Sequence, residues 1–229
     1  MTPLALALYD QALGHGRPLV VRHADGAERT HEVGRWIAPA DAVDRALLRR
    51  CSGPTVDLGC GPGRLVAALA AGGVPALGVD VSARAVAMAR ARGAAAIVRD
   101  LFAPLPGEGR WEGALLADGN VGIGGAPHRL LRRVAGLVRP GGDLLVEVRP
   151  DDVYRRGTAR LVDASGLVSA PFGWAEVGPV ALRRVAAATG WAVAAEWVDG
   201  GRAFTRLVNR PGPSPSSPPS RRNQTVALR

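Results

Sequence analysis

One short stretch of the chain combines an acidic side chain with three closely spaced glycines: Asp57-Leu58-Gly59-Cys60-Gly61-Pro62-Gly63. An apolar segment precedes it and an Ala/Leu-rich segment follows at 65–70, which indicates a turn from a strand into a helix. Amides at the start of a helix point outward, and glycine lets a ligand approach the main chain closely. The stretch therefore predicts a site for a charged, nucleotide-like ligand.

The spacing of the glycines narrows the choice of ligand. A dinucleotide-binding loop has the pattern G-x-G-x-x-G, whereas the sixth position here is Arg64 and the third glycine, Gly63, comes one residue early. The carboxylate of Asp57 would repel a pyrophosphate and attract an ammonium group. Both features disfavour an NAD(P)-dependent oxidoreductase, which we keep as an alternative.

The loop resembles the first motif of the class I (Rossmann-like) S-adenosylmethionine-dependent methyltransferases, an acid followed by G-x-G-x-G. Two more acids, Asp80 and Asp100, close the next two predicted strands. The resemblance implies that Asp80 binds the ribose and that Asp100 and Leu101 bind the adenine of S-adenosylmethionine. The full predicted cofactor set is Asp57, Gly59, Cys60, Gly61, Gly63, Asp80, Val81, Asp100, Leu101, Asp118 and Arg35.

The rest of the chain alternates between predicted strands and helices. Five strands are predicted, near 54–56, 74–80, 94–99, 111–117 and 142–148. A helix at 177–189 follows them, and then come two alternating strands, 191–198 and 202–208, around a Gly-Gly turn. Helices are also predicted at 65–70, 83–92 and 127–139, whereas the crossover between 100 and 111 is too short for one. As in the resembled family, this predicts an α/β fold with a doubly wound, seven-stranded, mostly parallel sheet, an antiparallel last strand and helices on both faces.

Three regions are expected along the chain. Residues 1–51 are expected to form a helix and a β-hairpin that extend over the site as a lid. Residues 52–210 are expected to form the methyltransferase domain, and residues 211–229 are expected to form a disordered Pro/Ser/Arg tail. At the exit of the hairpin, Arg35 is placed to bind the cofactor carboxylate and Trp36 to cover the pocket.

Candidates for chemistry lie where loops follow the carboxyl ends of the strands. Asp118, after the fourth strand, is the predicted substrate-facing acid, and His128 and His31 are the predicted proton acceptors. Methyl transfer needs mainly alignment, with a base only if the acceptor is a hydroxyl or an ammonium. The stretch between the fifth strand and the 177–189 helix is predicted to be irregular, with Tyr154 and Trp174 near the acceptor.

Composition limits the function further. All 29 basic residues are arginine, which excludes any P-loop or Schiff-base lysine. The formal charge is +9, but the arginines are scattered and no aromatic residues are interleaved with them, which disfavours a nucleic-acid substrate. Two cysteines and four histidines lack the spacing of metal ligands, so no metal is predicted. No apolar run approaches a bilayer span, and the arginine bias is typical of GC-rich coding.

These observations predict a bacterial, cytoplasmic methyltransferase, monomer or homodimer, that acts on a small molecule and has no membrane partner. A non-catalytic S-adenosylmethionine-binding protein is the other alternative.

Overall fold

The computed structural model describes residues 1–210, and the predicted disordered tail at 211–229 lies outside the described residues. The helices are α1 Pro3–His15, α2 Val33–Ile37, α3 Ala42–Leu48, α4 Arg64–Ala71, α5 Ala83–Ala91, α6 Pro127–Leu137 and α7 Pro179–Ala187. The strands are β1 Leu19–His23, β2 Glu28–His31, β3 Thr55–Leu58, β4 Ala76–Asp80, β5 Ala96–Val98, β6 Trp111–Leu116, β7 Val138–Val148, β8 Tyr154–Val162, β9 Phe172–Val177, β10 Trp191–Asp199 and β11 Arg202–Asn209.

Seven strands form the main sheet, in the order β10-β11-β7-β6-β3-β4-β5. All run parallel except β11, which pairs antiparallel with β7 and β10. Side chains alternate between the faces of a strand, so that Leu145 packs with α3 and α4 while Leu144 packs with α6 and α7. The predicted doubly wound α/β fold, with helices on both faces, is confirmed.

Helix α6 ends two residues earlier than predicted. Arg139 precedes Pro140, and a residue before proline is disfavoured in the helical region, so the chain leaves the helix at Leu137 and enters β7 at Val138. The crossover from β5 to β6 contains turns rather than a helix, as the sequence predicted.

A second, four-stranded antiparallel sheet has the order β2-β1-β8-β9. The stretch that contains β8 and β9 was predicted to be irregular, and that prediction was wrong because its partner is the distant N-terminal hairpin. Val21 of β1 pairs with Leu161 of β8. The segment predicted as a lid thus contributes half of a sheet that the rest of the chain completes.

This second sheet is strongly curved. Strands β2 and β9 are its opposite edges, which a flat sheet would hold roughly 14 Å apart at about 4.8 Å per strand. However, the ring centroids of His31 on β2 and Trp174 on β9 are only 6.5 Å apart. The sheet therefore forms a trough, and we use that word for its concave face, which carries Leu19, Val21, His31, Leu161, Phe172 and Trp174.

The trough docks on a glycine-rich 3₁₀ segment, Asn120–Gly125, that follows β6. A Cβ atom on Gly122 would lie 2.0 Å from the carbonyl oxygen of Ala175, and one on Gly125 would lie 2.2 Å from that of Gly157. Only glycine permits these close approaches. They bring the trough directly over the carboxyl ends of β3, β4 and β6.

Candidate functional site

A cavity of about 360 Å³ lies between the glycine loop and the trough. Its lower wall consists of residues predicted for the cofactor: Gly59, Cys60, Gly61, Asp80, Val81, Asp100, Leu101 and Asp118. Its upper wall consists of the six trough residues named above, joined by Tyr9 and Trp36 from the N-terminal helices. One space is thus shared by the predicted cofactor residues and an aromatic wall.

The glycine loop is fixed by the carboxylate of Asp80. Gly61 N–H donates to Asp80 Oδ2 and Ser82 N–H donates to Oδ1, both at 2.9 Å. Burial raises the pKa of Asp80, and the hydrogen bonds from the backbone oppose that rise. Gly61 has φ +51°, and a Cβ atom there would lie 3.2 Å from the Tyr9 hydroxyl. The loop therefore presents bare backbone to the cavity beside an oriented acid.

Asp57 and Gly63 lie behind the loop rather than on the cavity surface. Gly63 precedes α4, and a Cβ atom there would lie 2.5 Å from that of Ala89. The Asp57 side chain is buried and makes no hydrogen bond to the described residues. Burial raises its pKa to about 7, against the opposing charge of Arg64. A cation above the loop would therefore favour ionisation of this carboxyl group.

Asp100 and Leu101 stand at the open end of the cavity. Asp100 is exposed and accepts from Phe102 N–H at 2.9 Å, while Leu101 is buried. The Arg129 guanidinium lies 4.2 Å from the centroid of the Phe102 ring. This end of the cavity therefore combines apolar and planar surfaces with the exposed side chain of Asp100.

Asp118 is held at the centre of the site in a strained conformation. Among the described residues it is the only one besides glycine with positive φ, +54°. Arg64 donates to its two oxygens at 2.6 and 3.2 Å, and its own N–H donates to Glu147 at 2.8 Å. Arg64 also donates to Asp44 at 2.8 and 3.2 Å. The site fixes this acid through a buried partner on each side.

These contacts belong to a larger cluster, which we call the ion network: Asp44, Asp118, Glu147, Arg35, Arg64 and Arg202. Arg202 donates to Asp44 at 2.9 Å and to Glu147 at 2.7 and 2.9 Å. Burial would raise the pKa of Asp44, but hydrogen bonds and charge from Arg64 and Arg202 hold it well below the usual range. Asp44 therefore stays ionised at neutral pH.

Arg35 extends from α2 to the ion network, and some of its N–H groups make no hydrogen bond within residues 1–210. Its Nη2 lies 3.1 Å from Asp118 Oδ1 and 3.7 Å from Asp44, and its side chain is one-third exposed. The Nε and Nη2 atoms are nevertheless buried without a hydrogen-bond partner. Arg35 lies beside the cavity rather than on its wall, with unused N–H groups.

Of the two candidate histidines, the structure brings only His31 to the cavity. It is 8% exposed, and its Nε2 is buried without a hydrogen-bond partner. Burial, and then the charge of Arg29, lower its pKa to about 4, so the ring is neutral at physiological pH. His128 is half-buried in the first turn of α6, away from the cavity wall.

The sequence interpretation missed several residues at the site. Trp174 lines the cavity as expected, whereas Tyr154 is 44% exposed and does not. Arg64, which donates to Asp44 and Asp118, was not predicted to belong to the site. A signal was nevertheless present, because an arginine in the first helical turn opposes the helix dipole and needs acidic partners.

The described residues hold neither a metal-ion cluster nor a membrane-spanning helix. No group of three or more His, Cys, Asp and Glu side chains within 1–210 could hold a metal ion. In the same range, no helix has the length and apolar character needed to cross a membrane. Cys51 and Cys60 are both free thiols.

A family model described as a methyltransferase domain matches residues 55–142, which include the glycine loop and the ends of β4, β5 and β6. The chain carries a methyltransferase domain. The matched segment is less than half of the chain and leaves out the trough. The resemblance to class I S-adenosylmethionine-dependent methyltransferases is thereby confirmed for the part of the chain that carries the predicted motifs.

Solved structures extend this likeness beyond the methyltransferase domain. An S-adenosylmethionine-dependent methyltransferase from Bacteroides fragilis, crystallised with S-adenosyl-L-homocysteine, is 20% identical with a TM-score of 0.72, over 90% of this chain and 94% of that one. The 1,6-didemethyltoxoflavin-N1-methyltransferase of Burkholderia thailandensis is 19% identical with a TM-score of 0.53, over 77% and 79%. A sugar N-methyltransferase from a Streptoalloteichus species is 19% identical with a TM-score of 0.55, over 77% and 88%. At these identities the likeness is one of fold. No curated protein sequence matches the chain.

Proposed function

We propose that this protein transfers the methyl group of S-adenosylmethionine to an oxygen, nitrogen or carbon nucleophile of a small molecule. One observation carries the proposal: a single cavity joins the glycine loop and Asp80 to a histidine with an unpartnered nitrogen. Phe172 and Trp174 of the trough and Trp36 of α2 bound the acceptor end, which suits a small molecule better than a polymer. The two free thiols support a reducing, cytoplasmic setting.

The charges around the loop suit a ligand with an ammonium and a sulfonium group. The ion network contains three acids and three arginines, so its own charges balance. The buried carboxyls of Asp57 and Asp80 lie outside it and make no hydrogen bond to a described arginine, so a cation at the loop would favour their ionised form. The unused donors of Arg35 are available for the methionine carboxylate. Asp80, Asp100 and Leu101 would hold the ribose and adenine, as the resemblance implies.

The residues at the acceptor end have separate tasks in methyl transfer. Bound S-adenosylmethionine supplies an electrophilic methyl group on sulfur, and the nucleophile must approach it in line. Asp118, fixed by Arg64 and Glu147, lies where it can orient a polar acceptor group. When the acceptor is a hydroxyl, neutral His31 takes its proton as the bond between oxygen and the methyl carbon forms; when it is an ammonium, His31 takes the proton before the nitrogen attacks.

Substituting alanine for Asp80 is expected to weaken binding of S-adenosylhomocysteine by about 1–3 kcal/mol, or roughly 5- to 150-fold, through lost hydrogen bonds to the ribose. Calorimetric titration of wild type and Asp80→Ala measures this directly. The wild type should bind S-adenosylmethionine and S-adenosylhomocysteine but not NADH.

Asp163→Ala is the matched control, because Asp163 lies in a remote loop and accepts from Ser165 and Leu167. Its affinity should equal that of wild type. Wild-type binding of NADH alone, or of no nucleotide, would refute the proposed cofactor. Equal affinities in all three proteins would remove Asp80 from the site.

The ring of His31 is expected to stay neutral from pH 8 down to about 5.5, because its pKa of about 4 places protonation below that range. An NMR titration of the histidine side chains, with Asn substituted for His31 to identify its signal, measures this. The signals of the other three histidines should persist in the variant. A His31 signal that shifts between pH 6 and 7 would contradict the burial of the ring.

A further inference from the structure

Arg29 shares the concave face of the trough with His31. The two residues are separated by one position on β2, so their side chains leave the strand on the same face, roughly 7 Å apart. Arg29 pairs across the sheet with Val21, which lines the cavity. A Cβ atom on Gly119, next to Asp118, would lie 3.8 Å from Arg29 Nη1. Arg29 therefore stands at the margin of the proposed acceptor site.

The guanidinium of Arg29 makes no hydrogen bond to any residue within 1–210, although its side chain is only 32% exposed. Its one ion-pair contact there is a 3.9 Å approach to Glu176 Oε1. That carboxylate is already bound through its other oxygen by Arg155, at 2.5 Å. The Arg29 guanidinium thus lies near a charge while its N–H groups remain free to donate to a bound anion.

Arg149 stands on the other side of the same oxygen. Its Nη1 lies 3.5 Å from Glu176 Oε1, while its other N–H groups donate to Asp151 at 2.7 and 3.0 Å. Glu176 Oε1 is buried without a hydrogen-bond partner. Two guanidinium groups therefore flank this carboxylate without hydrogen-bonding to Oε1, so N–H donors on Arg29 and on Arg149 Nη1 remain for an additional oxyanion.

We infer that Arg29, assisted by Arg149, binds a carboxylate of the methyl acceptor, and that the acceptor is an aromatic acid whose reacting group lies at His31. The inference rests on the proposed function. The spacing of roughly 7 Å between the two positions on β2 fits a single substituted ring. Trp36, Phe172 and Trp174 offer the faces and edges on which such a ring packs.

The test compares two probes that differ only in charge, 4-hydroxybenzoate and its methyl ester, by calorimetry on protein saturated with S-adenosylhomocysteine. The acid should bind the wild type about ten- to a hundred-fold more tightly than the ester, as expected for a charge-assisted pair. Arg29→Gln should abolish that preference and leave the affinity for the ester unchanged.

Arg22→Gln is the matched control. Arg22 lies on the opposite face of β1, in an exposed pair with Glu28, and its loss should keep the preference for the acid. Equal affinity for the two probes, binding of neither, or a preference that survives in Arg29→Gln would overturn the inference. Each protein is first titrated with S-adenosylhomocysteine, because failure of the wild type there refutes the proposed function instead.

Discussion

Substituting arginine for Gly61 is expected to abolish binding of S-adenosylhomocysteine while the fold survives. The new side chain would start 3.2 Å from the Tyr9 hydroxyl and occupy the cavity beside Asp80, and its positive charge would neutralise the acids proposed to attract the ligand. A positive φ costs a residue other than glycine only about 1–2 kcal/mol. Calorimetry measures the loss of binding, and circular dichroism checks the fold.

Gly73→Arg separates the effect at the site from backbone strain. Gly73 also has a positive φ, +75°, but it is exposed and no atom lies within 4 Å of its Cβ position. This variant should bear a similar strain and bind S-adenosylhomocysteine like the wild type. If Gly61→Arg binds within about threefold of the wild type, the glycine loop is not the cofactor site.

The second large effect is expected on stability. Replacing Arg64 with methionine should lower the free energy of unfolding by about 3–5 kcal/mol, because it leaves the carboxylates of Asp44 and Asp118 without their shared partner. The pKa of Asp44 lies well below its unfolded value, so this stabilisation is present above about pH 4 and disappears as the pH falls through the folded pKa. Urea unfolding at pH 7 and at lower pH measures both.

Arg139→Gln provides the comparison. Arg139 pairs with Glu112, and both side chains are partly exposed. Surface pairs contribute little, so this variant should lose less than about 1 kcal/mol. If Arg64→Met costs no more than Arg139→Gln, the ion network does not stabilise the fold as we describe.

Local patterns were sufficient to predict the main sheet. Most of its parallel strands contain a short apolar run next to a turn, and the two alternating strands around Asp199-Gly200-Gly201 indicated the closing hairpin. The trough could not be predicted in the same way. Strand β8 has Arg155 and Gly157 among its inward positions, so its alternation is weak, and its pairing with β1 depends on a segment far away in sequence.

The site residues also divide into those that local motifs predict and those that only the folded structure brings together. Gly61, Asp80 and Asp100 lie in motifs that can be read within a few residues, and all three line the cavity. Arg64 and Arg29 could not be assigned from spacing, because their partners come from other elements of the fold. The roles of these two arginines become clear only when their ion pairs and their unmet hydrogen bonds are known.

The order of the trough strands along the chain determines when each can pair during synthesis. The hairpin of β1 and β2 is synthesised before the other strands, and its neighbour β8 ends at Val162, after five strands of the main sheet. Until then β1 has an unpaired edge, which is a template for wrong pairing. The nascent chain therefore completes most of the nucleotide-facing half before it can close the half that faces the acceptor. A truncated chain that began at residue 52 would expose the edge of β8 in turn.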